Sequence, residues 1–135
     1  MRRWWPVVAW MGLIFFLSSQ PKLPPIPGLG CLERLDFGDK IKHFIGYGAL
    51  AMLIWRALGD VCPKRRRFWI AIAISTAYGM TDEFHQRFVP NRCCDILDLT
   101  ANMVGALCAA AILCKGGIRL GRRKESKKRK ERLRG

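Results

Sequence analysis

Four apolar stretches, set apart by charged or proline-rich connectors, constrain this chain more than any other feature. They occupy residues 4–19, 39–58, 68–88 and 95–114. The last three are each about twenty residues long, enough at ~1.5 Å per residue to cross roughly 30 Å of hydrocarbon. The first is shorter and follows Arg2 and Arg3. A secretory signal is one reading of it, with a feeble cleavage point at Ser18-Ser19-Gln20. With three more apolar stretches behind it, an uncleaved helix is the simpler reading. Trp4, Trp5 and Trp10 suit a membrane interface, and Pro6 falls in the first turn, where its missing N–H does no harm. Strands are disfavoured, because a membrane sheet must close into a barrel and four runs cannot do so. The expected fold is all-α: a bundle of four transmembrane helices over residues 1–114. A basic tail, disordered or loosely helical, is expected over 115–135.

Charge orients this bundle. The formal net charge is +14, which in a soluble protein would suggest nucleic acid. Here the basic residues flank apolar stretches instead, so the positive-inside rule explains them and no nucleic-acid partner is expected. Arg2 and Arg3, the run Lys64-Arg65-Arg66-Arg67, and the tail from Lys115 onward alternate with connectors 20–38 and 87–94. A four-pass chain with both termini cytoplasmic satisfies all three basic sites together. The tail would also touch anionic lipid headgroups. The six cysteines form no C-x-x-C pair, which removes zinc-finger and thioredoxin readings. Cys108 and Cys114 read as inert packing residues, while Cys31, Cys93 and Cys94 would face outward, leaving a disulfide among them open.

Ionisable residues are costly within a bilayer and need partners, water or a function. Three helices carry such sets: Asp39, Lys40 and His43; Asp82, Glu83, His85 and Gln86; and Asp95, Asp98 and Asn102. Asp39, His43 and Tyr47 are spaced i, i+4, i+8, and so are Tyr78, Asp82 and Gln86. Asp95, Asp98, Asn102 and Gly105 follow i, i+3, i+7, i+10. Each set therefore lines one helix face. Depth agrees: Asp82 lies about 21 Å from the cytoplasmic start of its helix, and Asn102 about 18 Å from the end of its own. All three sets reach the outer third of the bilayer, where they would form an outward-opening polar pocket. Small-residue stripes, Ala71-Ser75-Gly79 and Ala101-Gly105-Ala109, would let the helices approach closely. Bland readings stand beside this one. Asp39 and Asp95 sit where a helix N-terminus favours a carboxylate, so capping explains them equally well. Asp82 and Glu83 sit near a C-terminus, where the dipole disfavours them, and need Lys40, Arg92 or a bound cation. His43 is a hydrogen-bonder or a proton carrier.

The residues also resemble a family. Asp39-Lys40-x-x-His43-Phe44-x-x-Tyr47-x-x-Leu50 resembles the first motif of the VanZ-like family. Tyr78-Gly79-x-x-Asp82-Glu83-x-His85-Gln86-x-Phe88-x-Pro90-x-Arg92 resembles the second, and Asp95-x-x-Asp98-x-x-Ala101-Asn102-x-x-Gly105 the third. Ser18-Ser19-Gln20-Pro21 also fits, and the resemblance covers roughly residues 5–114. It implies a multi-pass protein of the bacterial cell membrane. The founding member is associated with low-level teicoplanin resistance, and the family has no settled mechanism and no proven catalytic residues to carry over.

The leading functional expectation is a site that binds or modifies an envelope component, such as a lipid-linked precursor or an anionic headgroup. Lys40 and Arg92 would meet the ligand, while the carboxylates orient them or hold a divalent cation; an oxygen-rich site suits Mg²⁺ or Ca²⁺. No nucleophile motif, P-loop or H-E-x-x-H occurs, so no enzymatic activity is assigned. A purely structural polar network is the first alternative. A small oligomeric transporter is the second, although four helices are few and no inverted repeat is evident. Reporter fusions at Gly30, Lys64 and the tail should read outside, inside and inside; an inside reading at Gly30 overturns the orientation.

Overall fold

The computed structural model describes residues 2–21, 38–59, 62–90 and 95–132, with side chains described as far as residue 116. Among the described residues the elements are four helices: α1 (Trp5–Ser18), α2 (Gly38–Leu58), α3 (Lys64–Gln86) and α4 (Ile96–Arg132). No strand occurs among the described residues. The fold is all-α, as the apolar stretches predict.

α2, α3 and α4 pack on one another, and α1 lies against α2 and α3. The core between them is made of small and aliphatic residues. Leu50, Ala51, Ile54, Ala71, Ala106 and Ala110 are fully buried. The small-residue stripes work as spacers. Ala71, Ser75 and Gly79 are buried on α3, and Gly105 and Ala109 on α4, whereas Ala101 is half-buried. At Gly105 the approach is closest: a Cβ there would collide with the carbonyl of Phe44 on α2. At Gly48 a Cβ would stand 3.3 Å from the Gly105 carbonyl oxygen. Backbone thus meets backbone where α2 crosses α4.

α1 is tied down by polar groups at intervals. Trp10 Nε1 donates to the Gly46 carbonyl at 2.9 Å, and the Tyr78 hydroxyl donates to the Met11 carbonyl at 2.7 Å. At its end, Ser19 donates its hydroxyl proton to Phe15 O, so the contact of 3.1 Å with His85 Nε2 is donated by the imidazole. α2 ends on Gly59, whose φ of 61° is the left-handed turn that glycine accepts most readily after a helix.

Among the described residues, only the Ile96–Gly116 stretch of α4 is long and apolar enough, by length and composition, to cross a membrane. This is narrower than the four crossings expected. α1 is apolar but has only 14 residues. α2 and α3 carry charge inside their bounds, with Asp39, Lys40, Lys42 and Arg56 on one and the Lys64–Arg67 run, Asp82 and Glu83 on the other. The fourth helix also does not end at the two glycines after Lys115 but continues to Arg132. Lys, Arg and Glu in that segment are good helix formers, and each glycine weakens a helix by only about 1 kcal/mol. Cys62, Cys108 and Cys114 are free, with Cys108 exposed rather than packed inside. Cys31, Cys93 and Cys94 lie outside the described residues, and with them the open disulfide.

Gly105→Ala should lower stability by about 1–3 kcal/mol, the usual range for overpacking. Gly116→Ala, where nothing stands within 4 Å, should be neutral or stabilising, since alanine is the better helix former. Thermal unfolding in mild detergent compares the two.

Candidate functional site

α4 begins at a built corner. Asp95 caps it, its Oδ1 accepting the Leu97 backbone N–H at 2.9 Å. The Lys40 ammonium of α2 reaches Asp95 Oδ2 at 3.0 Å and Asp98 Oδ1 at 3.3 Å. The Asp95 backbone N–H in turn donates to Glu83 Oε2 of α3 at 3.3 Å. Three helices therefore meet in one set of charge-assisted contacts. The Asp95 carboxyl is held below the usual carboxylate range, first by the Leu97 N–H and then by Lys40.

Beneath this corner the polar residues go fully inside. His43 Nδ1 lies 3.0 Å from Asn102 Oδ1, and His43, Glu83, Asp98 and Asn102 are all buried. His43 Nδ1 stands 3.9 Å from Glu83 Oε1, and His43 Nε2 the same distance from Asp98 Oδ2. Next to His43 on the same face of α2, the Tyr47 hydroxyl donates to Asp82 Oδ2 at 3.0 Å. Gln86 Nε2 approaches that oxygen at 3.5 Å. The close fit of Gly79 against Tyr47 and Asn102 allows both groups to share the space.

An apolar groove adjoins this second group. It has a volume of about 100 Å³. Trp10, Leu13, Ile14, Leu17 and Ser18 of α1 line it together with Lys42, His43 and Tyr47 of α2 and Asp82 and Gln86 of α3.

Set against known proteins, the VanZ/LLP1 family pattern matches residues 4–118. The chain belongs to the VanZ/LLP1 family. No curated protein and no solved structure matches it.

In this VanZ/LLP1 chain the structure brings together Lys40, His43, Glu83, Asp95, Asp98 and Asn102, with Tyr47, Asp82 and Gln86 alongside. Asp39 stays out. It is exposed at the start of α2, and its carboxylate pairs with Lys42 at 3.5 Å on its own helix. The i, i+4 spacing puts it on the His43 face, one turn nearer the start of α2. Arg92 lies outside the described residues. Sequence reasoning missed two features. His85, which points off the Asp82–Gln86 line, stacks on Phe15 with ring centroids 4.5 Å apart and bonds Ser19. The α1 wall of the groove was also missed, because an evenly apolar helix carries no sign of which side faces a neighbour.

The depressed Asp95 carboxyl stabilises the folded chain above the usual carboxylate range, and that contribution is lost as pH falls through it. Thermal unfolding should show wild type melting above Asp95→Asn at neutral pH, with the gap closing in acid. A gap that persists unchanged at acid pH would contradict the charged contact with Lys40.

Proposed function

We propose that this VanZ/LLP1 chain is a four-pass protein of the bacterial cell membrane with both termini cytoplasmic. In this reading it holds the headgroup of a lipid or lipid-linked envelope component at an outward-facing polar site. The groove carries the proposal: the apolar side chains of Trp10, Leu13, Ile14 and Leu17 and the polar side chains of His43, Tyr47, Asp82 and Gln86 line one and the same space. A hydrocarbon tail suits the first set and a polar headgroup the second. Ligand sites commonly combine apolar walls with a few convergent polar groups.

The distribution of polarity supports a bilayer setting. Gln86, Asn102 and Ser75 are among the largest fully buried side chains, while Trp5, Phe16, Trp69, Phe88 and Ile112 are exposed. Water favours the reverse, and lipid does not. The two ends of the bundle differ in sign. Arg2, Arg3, Arg56 and Arg67 gather around one cleft, and the carboxylates cluster at the opposite end. Basic residues on the cytoplasmic side give the four-pass orientation. The low hydropathy of α2 and α3 then follows from polar groups turned into the bundle. A contribution to teicoplanin resistance, which the family resemblance implies, would be one consequence of handling an envelope component.

One observation favours a second, purely structural reading. Tyr47–Asp82 and Lys40–Asp98 each join two different helices, as a stabilising network would.

Native mass spectrometry from mild detergent separates the two. Wild type should retain one lipid per chain. Leu13→Trp, which fills the groove away from the polar network, should lose it while keeping the fold. If wild type sheds all lipid, or Leu13→Trp retains it equally, the groove does not hold a lipid.

A further inference from the structure

Two buried carboxylates and a buried imidazole face one another with no hydrogen bond joining them. Glu83, Asp98 and His43 are 2%, 7% and 7% exposed. One ligand atom from each lies within 4.8 Å of the others. Asn102 Oδ1 can only accept, so the 3.0 Å contact puts a proton on His43 Nδ1 and leaves a lone pair on Nε2 of the neutral ring. Nε2 has no hydrogen-bond partner among the described residues, and neither does Glu83 Oε1. Asp98 turns Oδ1 toward Lys40 at 3.3 Å and Oδ2 toward Nε2 at 3.9 Å. Glu83 Oε1 lies on the Nδ1 side at 3.9 Å, so the Nε2 lone pair is set against Asp98 Oδ2, which is repulsive in a buried site unless something positive lies between them.

We propose that His43, Glu83 and Asp98 bind one divalent transition-metal ion of the Zn²⁺ or Mn²⁺ class, oriented by Asn102. The charges support this. Lys40 is shared by Asp95 and Asp98, so these two carboxylates, Glu83 and Lys40 together leave two negative charges for a doubly charged ion to balance. The donors support it too. Mg²⁺ keeps several waters in an octahedral oxygen shell and Ca²⁺ takes six to eight oxygens, whereas a nitrogen with two carboxylates suits Zn²⁺ or Mn²⁺. This replaces the Mg²⁺ or Ca²⁺ expected from the carboxylates alone. Donors on one tetrahedral ion stand about 3.4 Å apart at bond lengths of about 2.1 Å, so small side-chain movements would close the site. The His43–Asn102 bond fixes the ring and its tautomer, the usual outer-shell role beside a metal-bound histidine. Three protein ligands leave a position open. The inference deepens the headgroup reading and rests on it only for what fills that position: an ion here would let an acidic site accept a phosphate oxygen.

The test uses the full chain without a polyhistidine tag, in mild detergent, equilibrated in turn with Zn²⁺, Mn²⁺ and Mg²⁺. Elemental mass spectrometry should find one equivalent of Zn²⁺ or Mn²⁺ and no stoichiometric Mg²⁺. Glu83→Gln and Asp98→Asn should lose it, Asn102→Ala should weaken it about 10–100-fold, and Asp39→Asn should keep it. Circular dichroism and gel filtration report whether each variant folds. If the ligand variants do not fold, pulsed paramagnetic resonance of the Mn²⁺-loaded wild type must still show coupling to one imidazole nitrogen. Absence of stoichiometric metal in wild type, equal occupancy in folded Glu83→Gln, or no nitrogen coupling overturns the proposal. Lipid retention is scored separately: lipid without metal defeats the ion alone, and metal without lipid defeats the headgroup reading alone.

Discussion

Gly105 lets the backbone of α4 rest against the Phe44 carbonyl of α2, and the polar interior depends on that contact. Asn102 stands one helical turn before Gly105 and His43 next to Phe44, so a close crossing brings their side chains to 3.0 Å. Gly48 on the facing surface and Gly79 on α3 serve the same end. Close packing and interhelical hydrogen bonds both hold helix bundles together. This chain uses both within two turns of one crossing.

Burying so many charged groups near one another sets a second constraint. Each carboxylate must find a donor or a cation, or else a proton. Asp95 finds Leu97 N–H and Lys40, Asp98 finds Lys40, and Asp82 finds Tyr47 and Gln86. Glu83 is met on one oxygen only, by the Asp95 backbone. Lys40, Tyr47 and the Asp95 backbone each reach across from another helix, while Leu97 and Gln86 are local partners. The network is therefore both a reason for the helices to dock as they do and a reservoir of unmet polar capacity. Groups of that kind are where binding chemistry concentrates. The apolar groove beside α1 is lined in part by Tyr47, Asp82 and Gln86 of this network.

Much of this was legible in the order of residues. Apolar stretches of near-membrane length dictate helices, because period and length leave strands no way to satisfy their edges. Spacing alone put His43 with Tyr47, Asp82 with Gln86, and Asp98 with Asn102 and Gly105 on shared faces, since 3.6 residues per turn decides such neighbours whatever the helix packs against. The family, too, was readable from three motifs in order, and it spans residues 4–118. Tertiary structure alone decided which faces meet. It left Asp39 in solvent beside Lys42, took His85 to Ser19 and Phe15, and turned Asp98 between Lys40 and His43. Helical periodicity gives the angle of a residue around its own axis. It does not give the height or rotation of the neighbouring helix, and those distances of a few ångströms separate a capped carboxylate from a ligand set.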